Sequence, residues 1–139
     1  MDTVIYEGIP DHAKVIRQKV FVEEQGFRDE FDDVDEKATH IVMFNEDKTP
    51  VATCRIFWDT TMNTHILGRL AVIKEYRGQK IGSAIVKEAE QYVRKSGGKY
   101  IALHAQCRAT AFYQSLGFAE CSDIEDEQGC PHIWMRKRL

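Results

Sequence analysis

No apolar run in this 139-residue sequence comes near the ~18 residues of a membrane-spanning helix, so a bilayer is not an expected partner. Nor does a secretory signal peptide open the chain: Met1 to Gly8 carries acidic residues and no apolar core region, and a reducing, cytoplasmic location is expected. The four cysteines, Cys54, Cys107, Cys121 and Cys130, include no C-x-x-C pair, which excludes a zinc knuckle and a dithiol redox motif; neither disulfides nor a metal site is expected. Excess positive charge is missing too. At a net charge of −3 the chain has no general attraction for nucleic acid or anionic membrane, which leaves a small molecule or another protein as the expected partner. Repeats and low-complexity tracts are absent.

What remains is an ordinary soluble composition, 43% hydrophobic and 29% charged, over a length that suits one domain spanning residues 1–139. Thr3 to Tyr6 reads as a strand, and Pro10 to Val22 as a helix with Ala13, Ile16 and Val20 on one face. Glu23 to Glu36 holds eight acids, one base and Gly26, which predicts a long solvated connection with one short helical turn. His40 to Phe44, Val51 to Trp58 and His65 to Val72 predict three antiparallel strands between polar turns. A long helix follows over Gly78 to Lys95, stopped by Gly97-Gly98, then a strand over Tyr100 to His104 and a helix over Arg108 to Leu116. Phe118 to Cys121 and His132 to Arg136 read as two closing strands joined by the turn around Gly129. This order predicts a mixed α/β sheet with helices on its faces.

The segment Leu70 to Gly82 leaves a strand, turns and enters the long helix. Backbone N–H groups of a first helical turn lack partners and sit at the positive end of the helix dipole, so they suit a pyrophosphate. Gly78 and Gly82 would let the backbone come close, and Arg77 and Lys80 add counter-charge. An ordinary turn would look much the same. Arg77-Gly78-Gln79-Lys80-Ile81-Gly82 resembles the coenzyme A pyrophosphate loop, Q/R-x-x-G-x-G/A, of the GNAT superfamily of N-acetyltransferases. Lys80 stands where glycine is usual, a departure that a negative φ would accommodate. Ala109 to Phe118 is similar to the superfamily's second landmark, A-x-x-x-Y-x-x-x-G-F. A narrower likeness, to the ElaA/YjcF-like branch, runs through Arg17, Val20-Phe21-Val22, Glu24-Gln25, Asp32, Asp35, His40, Ala105-Gln106 and Gly129-Cys130-Pro131-His132 to Met135.

The resemblance implies a single-domain GNAT-like fold with a mostly antiparallel sheet of about seven strands. It also implies an enzyme that moves an acetyl group from acetyl-CoA, as co-substrate, directly to an amine on a small molecule or protein. Cofactor contacts are then expected from Leu70, Ala71, Val72, Arg77, Gly78, Gln79, Lys80, Ile81, Gly82, Ser83, Gln106 and Tyr113, with Tyr113 also matching the tyrosine beside the coenzyme A sulfur. Plain core positions for Leu70, Val72 and Tyr113, and a capping role for Gln106, are the structural alternatives. For the base that deprotonates the amine the shortlist is Glu24, His40 and His132, with His65 and His104 behind them; Arg55 and Arg69 are candidates to hold an acceptor carboxylate. A non-catalytic acyl-CoA-binding module, an acyl-homoserine-lactone synthase and a binder of another nucleotide are the alternatives. The GNAT landmarks and short chain disfavour the synthase, and the missing Lys-Ser/Thr pair after the glycines disfavours the nucleotide. The sequence leaves the acceptor unnamed and a homodimer open.

Overall fold

The computed structural model describes all 139 residues. Strand β1 (Asp2–Glu7) leads to helix α1 (Asp11–Arg17), which continues as a π-helical extension, Gln18–Glu24. The sequence pattern predicts one α-helix here. The wider winding turns two sequence neighbours, Val20 and Phe21, inward together, so both are buried. The acidic connection contains the short helix α2 (Val34–Lys37), as expected. Strands β2 (Thr39–Phe44), β3 (Pro50–Asp59) and β4 (Thr64–Val72) follow as an antiparallel meander.

Helix α3 (Ile81–Lys95) starts three residues later than the expected Gly78, because Gly78 (φ +80°) and Lys80 (φ +62°) both hold left-handed backbone that no helix accepts. Strand β5 (Tyr100–Gln106), helix α4 (Thr110–Ser115), and strands β6 (Ala119–Glu120), β7 (Glu125–Glu127) and β8 (Cys130–Arg138) complete the chain. The expected seven strands are eight. Strand β7 is too short and acidic to show a strand pattern, and the turn at Gly129 joins β7 to β8 rather than β6 to β8.

The sheet order is β1-β2-β3-β4-β5-β8-β6, with β7 also on β8, and only β4–β5 runs parallel. Side chains alternate across it. Ile41, Cys54, Ile56 and Leu67 pack under Ile85, Val86, Ala89 and Val93 of α3, while Val42 and Ala71 face Ala13, Ile16 and Val20 of the first helix. Each buried aliphatic side chain contributes about 1.5–3 kcal/mol, so two covered faces fix the strands in place. No helix is long and apolar enough to cross a membrane.

Two irregularities open the sheet at its centre. Strands β4 and β5 pair only through His65–Ile101 and Ile66–Ala102, after which they part. On the other side of β4 the register to β3 slips between Arg55–Gly68 and Thr53–Ala71, leaving one extra residue in β4. This bulge, with Arg69 at φ +52°, bends β4 away from β5.

Candidate active site

The divergence of β4 and β5 makes a cleft of about 820 Å³, within the ~300–1,000 Å³ usual for ligand sites. At one end lies the start of α3. Lys80, its N-cap, offers no side-chain hydrogen bond, and the first intrahelical bond is Ala84 N–H to Lys80 C=O at 3.1 Å. The N–H groups of Ile81, Gly82 and Ser83 precede it, and all three residues line the cleft. Positive φ at Gly78 and Lys80 curls the preceding backbone into a concave turn of the kind that cradles anions. The negative φ that would have accommodated lysine is not found at Lys80: the backbone there is the glycine conformation, with a lysine in it. Gly82 is small for a separate reason, since a Cβ there would stand 3.3 Å from Phe112.

Along the cleft, Ile73 N–H donates to Val51 C=O at 2.9 Å on β3, so strand alternation turns the amide groups of Val72 and Leu70 to the open side. Arg77 Nε donates to Val72 C=O there at 3.0 Å. Tyr113 and Gln106 line the same wall. Burial raises the Tyr113 phenol well above its ordinary range, so it stays protonated. Gln106 caps nothing; its amide donates to Gln25 Oε1 at 2.9 Å and its oxygen accepts from Arg108 Nε at 2.7 Å. Of the expected cofactor contacts, Gln79 alone stays outside the cleft lining.

Most of the acidic segment is solvent-exposed, as expected, but Glu30 and Asp35 are buried and, with Asp32, pair with arginines. Arg17 Nε donates to Glu30 Oε2 at 2.9 Å and its Nη1 to Asp35 Oδ1 at 2.6 Å. Arg55 Nη1 reaches Asp32 at 2.7 Å and Asp35 at 2.9 Å, and Arg69 Nε lies 3.0 Å from Glu30. Arg55 and Arg69 thus hold the segment against the sheet while both line the cleft. Burial would lift the Asp35 carboxyl, but hydrogen bonds from Arg17 and the Asp32 N–H hold it at about 2. For Glu30 burial wins over Arg69 and Arg17, and its carboxyl is raised.

Of the three shortlisted bases, two lie outside the cleft lining. His40 is buried, its Nε2 donating to Asp35 C=O at 2.8 Å, and burial lowers its pKa. Glu24 takes two hydrogen bonds from Arg77, at 2.6 and 2.7 Å, which hold its carboxyl below the usual range. His132 does line the cleft. Beside it stand His104, Trp134, Phe27 and Glu127, the last of which sequence reasoning missed because its role depends on the β7–β8 pairing.

The sequence model of an acetyltransferase (GNAT) domain matches residues 5–139. The chain belongs to the GNAT acetyltransferase family. YyaT of Bacillus subtilis is 36% identical over 132 residues, covering 91% of this chain and 87% of its own. ElaA of Escherichia coli is 33% identical over 129 residues, covering 89% and 84%. The crystal structure of E. coli ElaA matches this GNAT chain with a TM-score of 0.84 at 27% identity, over 98% of each. An aminoglycoside 6′-N-acetyltransferase complexed with coenzyme A shares the fold, with a TM-score of 0.74 at 15% identity over 99% of this chain and 97% of that one.

Proposed function

We propose that this GNAT protein transfers an acetyl group from acetyl-CoA directly to an amine. One observation carries the reading: the uncapped start of α3, the unpaired edge of β4 and Tyr113 all open on one cleft. The residues fit the co-substrate. N–H groups at Ile81 to Ser83 and the turn at Gly78 would receive its pyrophosphate, and the amides of Leu70 and Val72 its pantetheine arm. Bound there, acetyl-CoA supplies an activated thioester.

The chain's own groups supply the rest. An N–H near Val72 is placed to donate to the thioester oxygen as it gains charge, and the Tyr113 hydroxyl to donate to the sulfur. The phenol's raised pKa means that it stabilises the leaving sulfur by hydrogen bonding more readily than by full proton release; burial acts on a thiolate in the same direction, which narrows the gap. A tyrosine facing the cleft favours transfer over a non-catalytic acyl-CoA-binding module. The test is a panel of small and peptidic amines incubated with acetyl-CoA, read by free thiol and by the mass of the amide. Coupled appearance of both is expected with at least one amine; thiol release without amide, or neither across the panel, contradicts the proposal.

A further inference from the structure

We propose that His104 is the group that takes the proton from the acceptor amine, with Glu127 as the carboxylate that stabilises the resulting cation and His132 as the positioning residue that holds Glu127. The inference rests on the reading of an amine acceptor above and identifies the base that reading needs.

The geometry separates two histidines that look equivalent in sequence. His132 Nδ1–H donates to Cys130 C=O at 2.9 Å, and its Nε2 lies 3.1 Å from Glu127 Oε2. Cys130 C=O and Glu127 thus stand against the two His132 nitrogens, which leaves neither facing an open part of the cleft. This displaces His132 from the role that the sequence reading offered it.

His104 is differently placed. Its ring stacks on Trp134 with centroids 4.7 Å apart and lies 4.9 Å from the His132 ring, while Nε2 is buried with no hydrogen-bond partner. Its Nδ1 stands 3.6 Å from the same Glu127 oxygen, a gap that closes when that nitrogen carries a proton. The charged groups around it on the β7–β8 side are Glu125, 3.9 Å from Nε2, Glu127 and His132. The cleft is also lined by Arg55, paired with Asp35, and by Arg69, paired with Glu30. Burial and the adjacent His132 lower the His104 pKa, so the ring is neutral near pH 7 and has a lone pair to offer.

In the step, an N–H bond of the acceptor ammonium breaks and its electron pair stays on nitrogen, free to attack the thioester carbon. The proton forms a new N–H bond at His104 Nδ1, and the new imidazolium pairs with Glu127. That carboxylate is 44% exposed, which gives the proton a route to solvent.

Two measurements test this. Ring NMR titration of the histidines needs no acceptor: Glu127→Gln should move the His104 midpoint to lower pH, and His132→Gln, which removes the neighbouring ring that lowers it, to higher pH. Unmoved midpoints in both variants overturn the cluster. With an amine from the panel, His104→Gln should lower kcat by ~10²–10⁴-fold, erase the acid limb of the pH–rate profile and retain thermal protection by CoA. Turnover with unchanged kcat in His104→Gln overturns this inference alone. Failure of every amine despite the expected NMR shifts overturns the amine-acceptor reading beneath it.

Discussion

Lys80 carries a side chain at φ +62°, where an L-residue is strained by roughly 1–2 kcal/mol. Glycine would relieve most of that at some cost in chain entropy. Lys80→Gly is expected to raise stability by up to about 1 kcal/mol in chemical denaturation and to leave CoA binding within a few-fold, because the backbone turn, not the ammonium, makes the cradle. A large loss of CoA affinity would instead assign the anion contact to the lysine side chain. Tyr113 poses the matching question for catalysis. On the proposed mechanism its hydroxyl acts on charge that develops at sulfur, so Tyr113→Phe should lower kcat within the ~10²–10⁴-fold range of acid–base groups at nearly unchanged CoA affinity. Loss of CoA binding would make it an anchor.

At the scale of elements, the π-helical extension meets the turn before α3, the proposed phosphate cradle, through Glu24 and Arg77. This pair places a carboxylate near the expected pyrophosphate and keeps Arg77 on the Val72 carbonyl. Glu24→Gln should therefore tighten CoA several-fold by calorimetry and leave kcat free of the loss that removal of a general base causes; weaker binding would show that the pair builds the site. Much of this architecture was legible in the chain because it is local. The 3.6-residue spacing of Ile81, Ile85 and Ala89 marks α3, and Tyr113-x-x-x-Gly117-Phe118 marks the second landmark within ten residues. What was hidden depends on contacts distant in sequence. Arg17 meets Glu30 and Asp35 only once α1 packs on the sheet, Glu127 acquires meaning only opposite Cys130 across a hairpin, and the bulge at Arg69 exists only relative to β3. For that reason the buried pairing of Glu30 and Asp35 inside an otherwise exposed acidic loop is hidden, and His40 reads as a base, from sequence alone.

Across the whole molecule, the cluster of Arg17, Arg55 and Arg69 with Glu30, Asp32 and Asp35 fastens the acidic segment over the first helix and the centre of the sheet. Its response to pH has a definite sign. Asp35, held at about 2 against an ordinary 3.8, stabilises the fold fully above about pH 4, and that contribution is lost as pH falls through about 2. Glu30, raised by burial, works the other way, favouring the fold at low pH and losing that as pH rises, so it blunts the acid transition. The melting temperature should fall between about pH 4 and 2. Asp35→Asn should flatten that fall while costing about 3–5 kcal/mol at neutral pH, because it leaves two buried arginines short of a partner. An unchanged acid limb in Asp35→Asn would move the transition to other carboxylates.

The cleft as a seat for coenzyme A is the claim on which the rest depends, and thermal melting with CoA tests it directly. A ligand that binds only the native state adds RT ln(1 + [L]/Kd), about 2.7 kcal/mol at a hundredfold excess over Kd. Ser83→Glu is the control: it puts a negative charge in the first turn of α3, where it suits the helix and repels a pyrophosphate. The account predicts a clear rise in melting temperature for the wild type with CoA, a smaller one with ATP, and none for Ser83→Glu at equal or higher intrinsic stability. No rise at millimolar CoA, or equal protection of Ser83→Glu, would contradict it.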